Sequence, residues 1–117
     1  MSDFSRHACF IHHHEAGYSD RMTQPTPPLT VSGFQQHIRD RYYATDKARG
    51  TPATFLWFME EVGELATALN GNNRQNLQEE FADVLAWLCT LANINDIDLE
   101  EALRQKYLTD GGPQGHK

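Results

Sequence analysis

Two groups of acidic residues lie inside the most apolar part of this chain, and they constrain its fold more than any other feature. Glu60, Glu61 and Glu64 interrupt a run that carries Phe55, Phe58, Met59, Val62, Leu65, Ala66 and Leu69 at helical spacing. Glu80 and Asp83, with Glu79 just before, fall among Leu77, Phe81, Val84, Leu88 and Leu91. Residues 61 and 64, like 80 and 83, are three apart, so each pair projects from one side of a helix. Like charges at that spacing weaken an isolated helix, and partial desolvation beside apolar seams adds to the cost. A short turn at residues 70–73 predicts an antiparallel hairpin that brings the two pairs face to face. Carboxylates converging in that way need a cation, and an all-oxygen set suits Mg²⁺ or Mn²⁺ rather than zinc.

Helical signals run from residue 32 onward. Ser32 with Gln35 predicts a capping box that opens a helix whose stripe is Phe34, Ile38 and Tyr42. Gly50 is a natural C-terminal residue for it. Thr51 before Pro52 predicts the N-cap of a second helix, stopped at Asn70-Gly71. A third helix follows Asn72-Asn73 and extends to about residue 93, with Leu77, Phe81, Val84, Leu88 and Leu91 as its bundle seam. Asp98 with Glu101 opens a fourth, to about residue 108. No stretch alternates long enough to predict a strand. The expected fold is an all-α, four-helix bundle spanning residues 32–110, with flexible tails at 1–31 and 111–117. Leu56, Trp57, Leu85, Trp87 and Ala92 lie off the main seams, and a helix apolar on two sides is usually buried on two sides. An ordered part of about 75–80 residues also makes a lone core marginal. Both points predict a homo-oligomer.

Charge and composition narrow the function. Ten basic against sixteen acidic residues give a net charge of −6, which disfavours nucleic acid as a partner. The longest nearly apolar run, residues 84–92, falls far short of the ~20 residues of a membrane span. No basic segment followed by an apolar one opens the chain, and the two cysteines, Cys9 and Cys89, form no disulfide framework. A reducing compartment, the cytoplasm, is expected. His12, His13 and His14, with His7 and Cys9, are of the right chemistry for a soft metal. In a leader without helical or strand period they are expected to bind nothing specific, because ordering them costs entropy. Cys89 reads as an inert packing residue.

The stretch F-L-W-F-M-E-E-V-G-E-L-A-T-A-L, then E-E-F-A-D-V-L-A-W-L-C-T-L-A, then I-D-L-E-E-A-L-R-Q-K-Y, resembles the MazG-type nucleotide pyrophosphohydrolases. These belong to the all-α NTP pyrophosphatase superfamily, which also holds dimeric dUTPases and phosphoribosyl-ATP pyrophosphohydrolases. The resemblance covers about residues 33–108. The E-E-x-x-E and E-x-x-D motifs are met by Glu60, Glu61, Glu64, Glu80 and Asp83. It implies that Glu61, Glu64, Glu80 and Asp83 hold Mg²⁺, with Mn²⁺ a possible substitute, and that Glu60 supports them or acts as a base. It also implies a subunit that assembles as a homodimer or homotetramer.

The implied chemistry is hydrolysis of a nucleoside triphosphate to monophosphate and pyrophosphate, in a house-cleaning role on canonical or aberrant (d)NTPs. Alternatives within the superfamily are a selective dUTP or dCTP enzyme, or one acting on phosphoribosyl-ATP. A rival of another class is a helical module that binds metal and nucleotide without turnover. Glu61 or Glu64 is a further candidate for the base that takes a proton from water. Lys106 stands where relatives often place a phosphate-binding lysine, with Arg74 and Arg104 as possible helpers. His37 is a candidate base contact, and Trp57 and Trp87, a turn or so from the carboxylates, are candidate walls of a base pocket.

Overall fold

The computed structural model describes residues 26–115. Residues 1–25, with the His-rich segment and Cys9, and residues 116–117 lie outside the described part. Among the described residues the chain forms four α-helices and no strand: α1 (Val31–Arg49), α2 (Thr51–Leu69), α3 (Arg74–Ile94) and α4 (Leu99–Tyr107). The all-α expectation is met. No helix among these residues is long and apolar enough to cross a membrane.

Helix boundaries follow local chemistry, in two places differently from the sequence expectation. The N-cap of α1 is Thr30, whose hydroxyl accepts from Gly33 N at 2.9 Å. Ser32 is already helical, and its N–H donates to Glu100 Oε1 at 2.9 Å. Gln35 is thereby freed from any capping box. The junction to α2 is made by Gly50 at φ 85°, which ends α1 through its N–H to Asp46 O and serves as the cap of α2. A left-handed φ of this kind favours glycine. Thr51, expected as the cap, lies inside the helix instead. The remaining caps agree with the sequence: Asn73 accepts from Asn76 N and Asp98 from Glu101 N, each at 3.0 Å.

Helices α2 and α3 form an antiparallel hairpin, α1 lies along α3, and α4 packs chiefly on α1. Ile38, Ala86 and Cys89 form the centre of the core, with Phe34, Tyr42 and Leu99 packed around them. Burial pushes the Cys89 thiol up to about 11, which makes it unreactive. The seam expected for α3 needs correction. Trp87 and Ala92, expected off the seam, are buried, whereas Phe81 and Leu88 are exposed together with Leu85. The physical reason is that α1 covers α3 from the side of Ala86, Thr90 and Asn93, not from the side of the heptad-like stripe.

Polar side chains fix how α1 sits. Gln35, 9% exposed, donates from Nε2 to Asn93 Oδ1 at 2.9 Å and to Ile97 O at 2.8 Å, and its Oε1 accepts from Leu99 N at 3.0 Å. One amide thus joins α1, the end of α3 and the start of α4. At the other end of α1, Asp46 accepts from Arg49 Nη2 at 3.0 Å and from Thr90 Oγ1 at 3.1 Å. Arg49 Nη1 donates to the fully buried Thr54 at 3.1 Å, and its guanidinium lies over the Trp87 ring. This cluster ties α1 to both members of the hairpin.

Replacing Gln35 by Leu keeps the volume but strands Asn93 Oδ1, the carbonyl of Ile97 and the N–H of Leu99. We expect a loss of about 2–4 kcal/mol in urea unfolding, since each buried group left unpaired costs about 1–3 kcal/mol. A loss under 0.5 kcal/mol would show that the amide is no hub.

Candidate metal centre

The α2–α3 hairpin brings acids of both helices together, because the short turn sets the two helices side by side. Carboxylate oxygens of Glu61, Glu64 and Glu80 lie within 4.8 Å of one another. Glu61 is 1% exposed, while Glu64 and Glu80 are half-buried. The buried Glu61 Oε2 has no hydrogen-bond partner. Burial first, then the charges of Asp83, Glu80 and Glu64, push the Glu61 carboxyl up to about 8. Asp83, half-buried, is therefore an electrostatic neighbour of the cluster, although the tight oxygen group comprises the other three. A buried carboxylate oxygen with no donor, surrounded by further carboxylates, fits a divalent cation with oxygen ligands.

A cavity of about 590 Å³ opens beside this cluster, lined by Glu60, Gly63, Glu64, Thr67, Asn76 and Glu80. It extends from the acids towards the turn at residues 70–73. Glu60 is half-buried on its wall. Of the aromatic candidates, Trp57 is half-buried one turn before Glu61, and Trp87 is buried beneath Arg49. The remaining candidates are not gathered at the cluster. Arg74 is exposed at the first position of α3. Lys106 is exposed on α4, near the Tyr107 ring. His37 is exposed on α1, with its ring stacked on Phe34 at 6.3 Å.

Sequence reasoning missed Gly63, Thr67 and Asn76 as cavity residues. The signal was present in their spacing: Thr67 stands three after Glu64 and Asn76 four before Glu80, on the same helix sides as those acids. Arg49 was missed as well, because nothing in its local sequence ties it to Trp87.

Residues 50–107 match the family model described as the MazG nucleotide pyrophosphohydrolase domain. The match begins at the α1–α2 junction and covers both acidic helices and α4. No curated protein matches the chain.

The raised Glu61 carboxyl gives a pH signature. The metal-free native state holds this proton up to about pH 8, whereas an unfolded glutamate releases it near 4.5. Stability from this group therefore grows as pH falls from about 8 towards 4.5, at up to about 1.4 kcal/mol per pH unit. Asp46, raised by burial, acts with the same sign. In chelator, the melting midpoint should climb from pH 8.5 to pH 6, and Glu61→Gln should flatten the climb. A parent midpoint that only falls over this range would mean that the carboxylates do not converge.

Proposed function

The chain belongs to the MazG nucleotide pyrophosphohydrolase domain family, and on that premise we propose that it hydrolyses nucleoside triphosphates to monophosphate and pyrophosphate with Mg²⁺, in a house-cleaning role. The observation that carries the reading is the buried Glu61, with its partnerless Oε2 among the carboxylates of Glu64 and Glu80. A structural glutamate would be expected to have a cation or donor beside it.

Glu61, Glu64 and Glu80 would hold the cation, with Asp83 completing the negative field. Mn²⁺ fits the same oxygen donors. A divalent ion there supplies charge neutralisation for phosphate oxygens and lowers the pKa of water. Water then attacks the α-phosphorus, the bond from that phosphorus to the bridging oxygen breaks, and pyrophosphate leaves. The proton released by the water goes to a carboxylate of the cluster, with Glu60, Glu61 and Glu64 as the candidates. Positioning and electrostatics suffice for such a step, so no nucleophilic side chain is required. Trp57 would wall the base, with Trp87 supporting it from the core. Lys106, Arg74 and His37 would be outer contacts.

Self-association belongs to the same reading. Phe55, Leu56 and Met59 on α2, and Phe81, Leu85 and Leu88 on α3, are exposed, Leu56 at 70% and Phe81 at 54%. Such an apolar face on the hairpin that carries the acids supports a dimer or tetramer. Light scattering should give a mass of two or four chains, and Phe81→Asp with Leu85→Asp should give one. A parent that is monomeric at micromolar concentration would remove this part of the reading.

The decisive test is product analysis on a panel of NTPs and dNTPs. Monophosphate and pyrophosphate should form with Mg²⁺, and Glu64→Gln should lower the rate at least 100-fold. Millimolar Mg²⁺ should raise the parent's melting midpoint through linkage, and Glu64→Gln with Asp83→Asn should abolish the rise. Binding of metal and nucleotide without any product would instead favour a binding module.

A further inference from the structure

Resting on the proposed reaction, we infer that the cavity on the turn side of the acidic cluster receives the departing pyrophosphate, with Asn76 and Gly63 as its recognition residues. The nucleoside then lies on the opposite side, towards Trp57 and α1.

The lining decides which part of the substrate fits. Glu60, Gly63, Glu64, Thr67, Asn76 and Glu80 include no aromatic ring on which a base could stack. In the other direction, the half-buried Trp57 stands one turn from Glu61, above a core that includes the buried Trp87. The turn side offers an open cavity contiguous with Glu64 and Glu80, which belong to the oxygen cluster. A phosphate group held by a cation on those carboxylates would lie against this cavity.

Asn76 supplies the donor. Its backbone N–H is committed to the Asn73 cap at 3.0 Å. Among the described residues its half-buried side-chain amide makes no hydrogen bond. An amide so placed, one turn before Glu80, has its donor hydrogens available to a phosphate oxygen. Thr67 is less available, since its hydroxyl donates to Gly63 O at 3.3 Å. The first turn of α3 carries the favourable end of the helix dipole on the same side.

Gly63 supplies the space. A Cβ built at this residue meets no protein atom within 4 Å, so the glycine is not required by packing. It lies mid-helix, where glycine is costly relative to alanine. A glycine that packing does not need, on the wall of this cavity, leaves room for a ligand.

The test is calorimetric binding of Mg²⁺ alone, of Mg²⁺ with inorganic pyrophosphate, and of Mg²⁺ with the four deoxynucleoside monophosphates. Parent, Asn76→Ala and Gly63→Ala are compared, with melting midpoints measured alongside. Asn76→Ala should weaken pyrophosphate binding about three- to tenfold. Gly63→Ala should weaken it at least as much, while melting at or above the parent temperature. Affinity for Mg²⁺ alone should stay within about twofold in both, since neither residue is a metal ligand. Unchanged pyrophosphate binding in both variants, no binding of pyrophosphate by the parent, or a larger loss for monophosphate than for pyrophosphate would each overturn the assignment. Failure of the reaction itself reads differently. A parent that binds pyrophosphate with this variant pattern but hydrolyses no triphosphate keeps the pyrophosphate site and loses the enzyme. A parent that hydrolyses triphosphates while both variants bind pyrophosphate normally loses the pyrophosphate site alone.

Discussion

Burying the Glu61 carboxyl is the constraint around which the hairpin is arranged. A carboxylate at 1% exposure, with Glu64, Glu80 and Asp83 for neighbours, has no favourable ionised state without a cation. The fold tolerates it in the metal-free form by keeping the proton, as the rise to about 8 expresses. Helices α2 and α3 must nevertheless be held in register by something other than the acids. Direct contact between them supplies part of this, and the Asp46–Arg49–Thr54–Thr90 cluster adds to it. It fastens α1 across both helices and holds the guanidinium over Trp87.

The core and the acids occupy different lengths of α3. Its C-terminal half is buried at Ala86, Trp87, Cys89, Thr90, Ala92, Asn93 and Ile94. Its N-terminal half carries Glu80 and Asp83 on one side and the exposed Phe81 on another, with Leu85 exposed just past the midpoint. The site therefore joins the buried Glu61 to an open cavity, while the contacts with α1 lie further along α3. A site built in the enclosed half would leave no entry for a charged ligand. Building it in the open half leaves apolar residues uncovered on its flank.

Much of this was legible in the sequence, and for identifiable reasons. The acids were visible because charged residues at helical spacing inside apolar runs break the usual pattern, and few basic residues stand nearby to neutralise them. Asn73 and Asp98 were visible as caps because their chemistry acts within three residues. Which stripe of α3 faces inward was not visible: the helix has two apolar stripes, and the choice depends on where α1 lands. Gln35 illustrates the same limit. A glutamine three residues after a serine reads as a capping partner, yet its role is set by Asn93 and Leu99, about sixty positions away. Asn76 was hidden for the opposite reason, since an asparagine in a first helical turn already has a local explanation.

The position of α1 relative to the family match separates chemistry from support. The match starts at residue 50, so it contains every clustered acid but not α1. Yet Ile38 sits at the centre of the core, Gln35 satisfies Asn93 and Leu99, and Asp46 receives the buried hydroxyl of Thr90. Without α1, the faces of α3 at Ala86, Cys89 and Thr90 would meet water, and the polar groups of Asn93 and Leu99 would lose their protein partners. The matched stretch thus carries the clustered acids, and the helix before it supplies packing that supports the hairpin bearing them. The two parts are then under different physical constraints. On the proposed function, a cation and a phosphate dictate where the acids must stand. Helix α1 has only to present an apolar stripe and a few well-placed polar groups, which many sequences can do.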